Sequence, residues 1–88
     1  MKNSDILVHV LTVIDGETEE LVDLLEIAGF VASDYHDQFD VDPVGDPNML
    51  DRYSVGPDDA AFLMARLGRT IEFDFQRFAY FIEAAKKN

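Results

Sequence analysis

Cysteine is missing from this 88-residue chain. That excludes disulfides, thiolate metal sites and a cysteine nucleophile, and a disulfide-free chain fits the cytoplasm. Lysine and arginine are missing from Asn3 to Asp51. Long apolar runs are missing too. The longest, Ile6 to Ile14, is broken by His9 and Thr12 and falls far short of the roughly 20 residues of a membrane span. As a signal-peptide core it is flanked by Asp5 and by Asp15-Gly16-Glu17 instead of a small-residue cleavage site. The five glycines stand singly at 16, 29, 45, 56 and 68, so there is no glycine-rich phosphate loop. Neither His9 nor His36 lies in a catalytic signature, and Ser4 and Ser33 read as helix caps. These gaps point to a non-enzymatic protein.

What is present is acid. The formal net charge is −11, and thirteen of the eighteen acidic residues lie in the stretch that has no base. Such a surface repels nucleic acid and anionic lipid, both polyanions, and attracts cations or a basic protein surface. Hydrophobic residues make up 48% of the chain, too many for a disordered tail. The length suits one domain, residues 1–88.

Periodicity and punctuation predict an all-α fold, a small helical bundle of about four main helices plus one or two short ones. Over residues 5–14, Asp5, His9 and Thr12 share one helical face. Many residues there are β-branched, so the alternative is an α+β fold with 5–14 as a strand. Residues 17–28 read as a helix closed by Gly29, with Leu21, Leu24, Leu25 and Ala28 inward. Short helices are expected over 33–39 and 47–53. Gly56-Pro57-Asp58-Asp59 starts a helix that runs to Leu67 and stops at Gly68. Thr70 would cap a last helix over 71–87, with Ile71, Phe75, Phe78, Ile82 and Ala85 as its apolar stripe.

The window 40-DVDPVGDPNMLD-51 raises a metal question. Asp40, Asp42, Asp46, Asn48 and Asp51 supply oxygens and Gly45 a turn, near the spacing of a calcium loop. Those twelve residues resemble the loops of EF-hand and dockerin families, which implies a Ca2+ site. They depart from the pattern at Val44, Pro43 and Pro47, and no second copy follows. The competing reading is a solvated Asp/Pro/Gly loop whose acids cap helices. No other cofactor is expected.

Two surfaces point to a partner. Glu19, Asp23 and Glu26 would climb one side of a helix, about 6 and 4.5 Å apart along the axis at a rise of about 1.5 Å per residue. Glu20 and the loop acids, Asp37 among them, would extend this line of negative charge. Phe73, Arg77 and Tyr80 would form a second face, opposite the core stripe of the last helix, and Phe, Tyr and Arg are interface anchors. The function expected is that of an acidic inhibitor or regulator occupying a basic, nucleic-acid-binding surface of a partner protein. In size and charge the chain is similar to small phage-encoded inhibitors, including anti-CRISPR and DNA-mimic proteins. The other readings are a calcium-binding helical module and a structural subunit of an assembly using the aromatic face.

Overall fold

The computed structural model describes residues 6–87. It is a predominantly β structure with one short helix, and the helical bundle expected from periodicity is not formed. Five elements follow in order: β1 (Ile6–Asp15), β2 (Leu21–Glu26), β3 (Tyr53–Val55), α1 (Ala60–Leu67) and β4 (Phe78–Lys87). The strands make one antiparallel sheet in the order β2-β1-β4-β3. Among the described residues, no helix is long and apolar enough to cross a membrane.

The expected helix over residues 5–14 is instead β1, which agrees with the α+β alternative; Ser4 and Asp5 lie outside the described residues. His9 and Thr12 therefore point to opposite sides of a strand instead of sharing a helical face. His9 Nε2–H donates to the Met49 carbonyl at 2.9 Å, and the ring stacks on Phe30 at 3.9 Å. Thr12 Oγ1–H donates to Glu83 at 2.7 Å on the other side. The expected helix 17–28 is a turn followed by β2, and the expected helix 71–87 is a loop followed by β4. Residues 33–39 and 47–53 hold only the end of a single 3-10 turn, Ala32–Asp34, then turns, one bend and the start of β3. These segments are rich in helix formers. Pairing decides against propensity here, because β4 is hydrogen-bonded on both sides, from Ile6↔Lys87 to Asp15↔Phe78 with β1 and from Tyr53↔Ile82 to Val55↔Tyr80 with β3.

Period-two geometry sorts the sheet into two faces. Leu11, Ile82, Tyr80, Val55 and Leu25 share the inner face with His9 and Val13. The long segment between β2 and β3 crosses that face and adds Ile27, Tyr35, Val41 and Met49 to the core, while α1 contributes Leu63. Leu11, Met49, Leu63 and Ile82 are the largest fully buried side chains. Each such burial stabilises the fold by about 1.5–3 kcal/mol.

The outer face carries Val10, Thr12, Ile14, Phe81 and Glu83. Val10 is buried, yet it stands apart from the core cluster. Its neighbours on the outer face do the covering. The Arg52 guanidinium lies 3.8 Å over the Phe81 ring and 3.6 Å from Glu83, which accepts the Thr12 hydroxyl. A layer of long side chains thus shields the sheet where no secondary element does.

The one helix forms where local signals expect it. Asp59 Oδ2 accepts from the Gly56 N–H at 2.8 Å, and Oδ1 accepts from Gln38 Nε2 at 2.7 Å, so the acid fixes both the helix start and its place on the domain. Gly68 ends it in the left-handed region at φ 66°, with its N–H on the Met64 carbonyl.

Candidate functional site

The acids placed on one helical face lie along a hairpin and its edge strand. Asp15 builds the β1–β2 turn: its Oδ1 accepts from the N–H groups of Glu17 at 2.8 Å and Thr18 at 3.1 Å, and its backbone pairs with Glu19 and Glu20. Gly16 is held against residue 77, where a Cβ would sit 3.0 Å from the Arg77 carbonyl oxygen. Glu19 and Glu20 are exposed at this tip. Asp23 and Glu26 follow on β2 but face opposite sides of the sheet, because Asp23 pairs with Val13 and Glu26 with Val10. The expected line of charge along a helix is therefore absent, and Glu26 makes an ion pair with Lys87 at 3.1 Å. Asp37 is exposed in the turns after Ala32–Asp34, well away in sequence from β2.

The aromatic face is placed inward. Tyr80 is 4% exposed and belongs to the core. Its ring meets Phe73 at 4.8 Å, Phe75 at 5.1 Å and Phe78 at 6.4 Å, all edge-on, and its hydroxyl oxygen accepts from the Asp74 N–H at 2.8 Å. Phe73 is half-buried and stacks on Phe75. Arg77 is exposed, 5.1 Å from the Phe78 ring. The outward face shared by Phe73, Arg77 and Tyr80 depended on a helix, and in strand and loop geometry it does not exist.

Two acids of the 40–51 loop, Asp42 and Asp46, spend their oxygens within the loop and on Tyr53. Asp42 Oδ1 accepts from the Val44 N–H at 3.0 Å, and Asp46 accepts from the N–H groups of Leu50 at 2.8 Å and Asp51 at 3.1 Å and from the Tyr53 hydroxyl at 2.5 Å. His36 donates from Nε2 to the Pro47 carbonyl. Asp40 and Met49 adopt left-handed φ of 53°, while Asn48 and Asp51 are exposed. Among the described residues, no group of three or more His, Cys, Asp or Glu side chains is placed to hold a metal ion.

These contacts have an acid-base consequence. Backbone N–H donors, Thr18 first for Asp15 and Gly45 first for Asp42, hold both carboxyls below their ordinary value of 3.8. The Tyr53 hydroxyl does the same first for Asp46, and Tyr53 in turn is pushed up to about 12 by that carboxylate. A depressed carboxyl stabilises the fold above its unfolded value, and the contribution is lost as pH falls through the folded one. The raised phenol acts oppositely: its contribution is full below 10 and lost as pH rises toward 12. Urea midpoints are expected to rise as pH drops from 7 toward 5, where self-repulsion eases, and to fall steeply below about 4. Asp46→Asn should flatten the acid limb, and an unaltered limb would show that the Asp46 contacts do not hold the loop.

The feature that sequence periodicity misplaced is the β2 edge. Leu21 and Leu24 were expected inward, yet Leu21 is 57%, Val22 52% and Leu24 48% exposed. A register shift between Val13 and Ile14 makes Val22 an extra residue, a bulge that turns it toward the inner face. Beside it lies a groove of about 410 Å3, with Val22, Leu25 and Phe78 among its apolar lining and Asp23, Arg69 and Glu72 as its charged lining. No alternation in 21-LVDLLE-26 distinguishes this edge from an amphipathic helix, so the sequence carried no signal for it.

A family model matches residues 8–83, from β1 into β4 and so across the whole sheet. The chain belongs to the family described as Domain of unknown function (DUF7683). No curated protein and no solved structure matches it. The family match spans both the β2 edge and the 40–51 loop.

Proposed function

We propose that this member of the family is a non-enzymatic binding domain, a structural subunit that joins a protein partner through the β2 side of its sheet. The observation that carries this reading is the exposure of Leu21 and Leu24 on the outer face and of Val22 on the inner face of a strand that, among the described residues, stands unpaired at the sheet edge. Several large apolar side chains left in solvent on one strand mark an interaction site, and open strand edges are template surfaces that proteins otherwise blunt. The acids that frame the edge, Glu19, Glu20 and Asp23, with Glu26 held by Lys87, favour a basic partner, as does the inhibitor-like reading in which the partner's basic surface is occupied. Their placement around an apolar strip, in place of a single anionic stripe, favours the assembly reading over mimicry of a nucleic-acid backbone.

The test is a pair of variants. Leu21→Ser with Leu24→Ser should leave the melting temperature within a few degrees, since both side chains are half in solvent, and should abolish co-purification of the partner from the native host. Retention of the same partner by the variant would remove β2 as the site. Binding should weaken as salt is raised, because exposed charges more than about 10 Å apart are screened at 0.1 M.

A further inference from the structure

The Ile27 N–H donates to the His9 carbonyl at 2.8 Å, which makes His9 and Ile27 a hydrogen-bonded pair. Along an antiparallel ladder such pairs alternate with non-bonded ones. Leu11↔Leu25 is then the next bonded pair, and the backbone N–H and C=O of Leu24 and Glu26 point away from β1. The Leu24 N–H confirms this direction, since it is taken by the side chain of its own neighbour, Asp23 Oδ1, at 2.8 Å. The edge thus offers outward backbone groups, one of them latched by a carboxylate.

We infer that β2 receives an extended strand of a basic partner protein by strand addition, with a lysine or arginine of that strand drawing the Asp23 carboxylate off the Leu24 N–H. This rests on the reading that β2 faces the partner. Three observations select the occupant. The exposed side chains of Leu21, Val22 and Leu24 fit apolar residues of an added strand, and those on the inner side would abut the groove beside Val22 and Leu25. The acids along the edge and hairpin fit cationic residues between them. A second copy of this chain would set two edges of the same sign side by side, with Glu19, Glu20, Asp23 and Glu26 on each and no Lys or Arg between Asn3 and Asp51 to offset them, and like charges across a strand pair are destabilising. The opposite edge offers much less, because β3 has three residues and is followed by Gly56-Pro57.

The experiment uses the whole chain and a short synthetic peptide of alternating valine and lysine, with the same peptide N-methylated at every amide as its match in charge and side chains. Calorimetry should show the N-methylated peptide binding at least about tenfold more weakly, the loss expected from a few backbone hydrogen bonds. Leu24→Pro should weaken the unmodified peptide similarly, with an unchanged circular dichroism spectrum, because that N–H lies outside the β1–β2 ladder. Equal affinity for the two peptides overturns strand pairing while leaving β2 as a docking surface. No binding of the unmodified peptide, or a stable dimer closed through β2 in sedimentation, also overturns the proposal. Capture of the same partner after Leu21→Ser and Leu24→Ser removes the site itself, so the two readings fail separately.

Discussion

Tyr80→Ala is expected to lower the unfolding free energy by about 3–5 kcal/mol, the range for deleting a large aromatic ring from a core. Tyr80 lies on the inner face of β4, a strand with partners on both sides, and its ring gathers Phe73, Phe75 and Phe78. Those rings hold the 71–77 loop against the sheet, so the damage should spread beyond one cavity. An 88-residue domain has roughly 4–13 kcal/mol in total at about 0.05–0.15 kcal/mol per residue, and the variant would forfeit a large share of it. Tyr80→Phe isolates the hydroxyl. It leaves the Asp74 N–H without its acceptor and should cost only about 1 kcal/mol. Urea unfolding of both variants separates the two roles. A Tyr80→Ala protein of near-normal stability that had lost partner binding would reinstate Tyr80 as an interface anchor and contradict its place in the core.

Leu63→Ala is expected to cost about 2–5 kcal/mol. Leu63 is fully buried and is the one buried residue of α1. A helix of eight residues does not hold in water by propensity, so its stability comes from tertiary packing. The flanking ties are a half-buried hydrogen bond, Gln38 to Asp59, and an exposed ion pair, Arg66 to Asp34 at 3.5 Å, and neither replaces that packing. Hydrogen exchange should therefore show α1 amides opening faster than those of β1 and β4 once Leu63 is truncated. Ala61→Ser, on the exposed side of the same helix, should change little. Equal protection of α1 in the Leu63→Ala protein and the parent would mean that something other than Leu63 secures the helix.

Both predictions depend on a fold that local patterns misreport. Leu21, Leu24 and Leu25 look like a helical stripe, and Ile71, Phe75, Phe78 and Ile82 look like another. In the sheet, Phe78, Tyr80 and Ile82 alternate with Ala79, Phe81 and Glu83 across β4, a period-two pattern also present in the sequence but disguised by apolar residues on both faces. Alanine, glutamate and lysine favour helix in isolation. Their strand conformation in β4 is imposed by β1, whose residues lie more than sixty positions away at every pairing. No window of neighbouring residues contains that information.

The candidate site was legible in part. The concentration of acid before Arg52 is read directly from the chain, and so is the surplus of acceptors in the 40–51 loop. Their use was not legible. Asp42 and Asp46 read as convergent ligands, yet they accept from the backbone of Val44, Leu50 and Asp51, in a loop that takes positive φ at Asp40 and Met49. Phe73 and Tyr80 read as outward anchors because a helix would have carried them there.

From the chain alone came the surplus of acid before Arg52, the lack of cysteine, and α1 with both its ends. Those follow from counting, or from signals within a few residues: proline and acids at a helix start, glycine able to adopt positive φ at its stop. Only the tertiary structure decided that the flanking segments are strands, which face each acid takes, and that Leu21, Val22 and Leu24 lie open on an edge. The physical reason is that a helix closes its hydrogen bonds within itself, whereas a strand closes them with a partner brought from elsewhere in the chain.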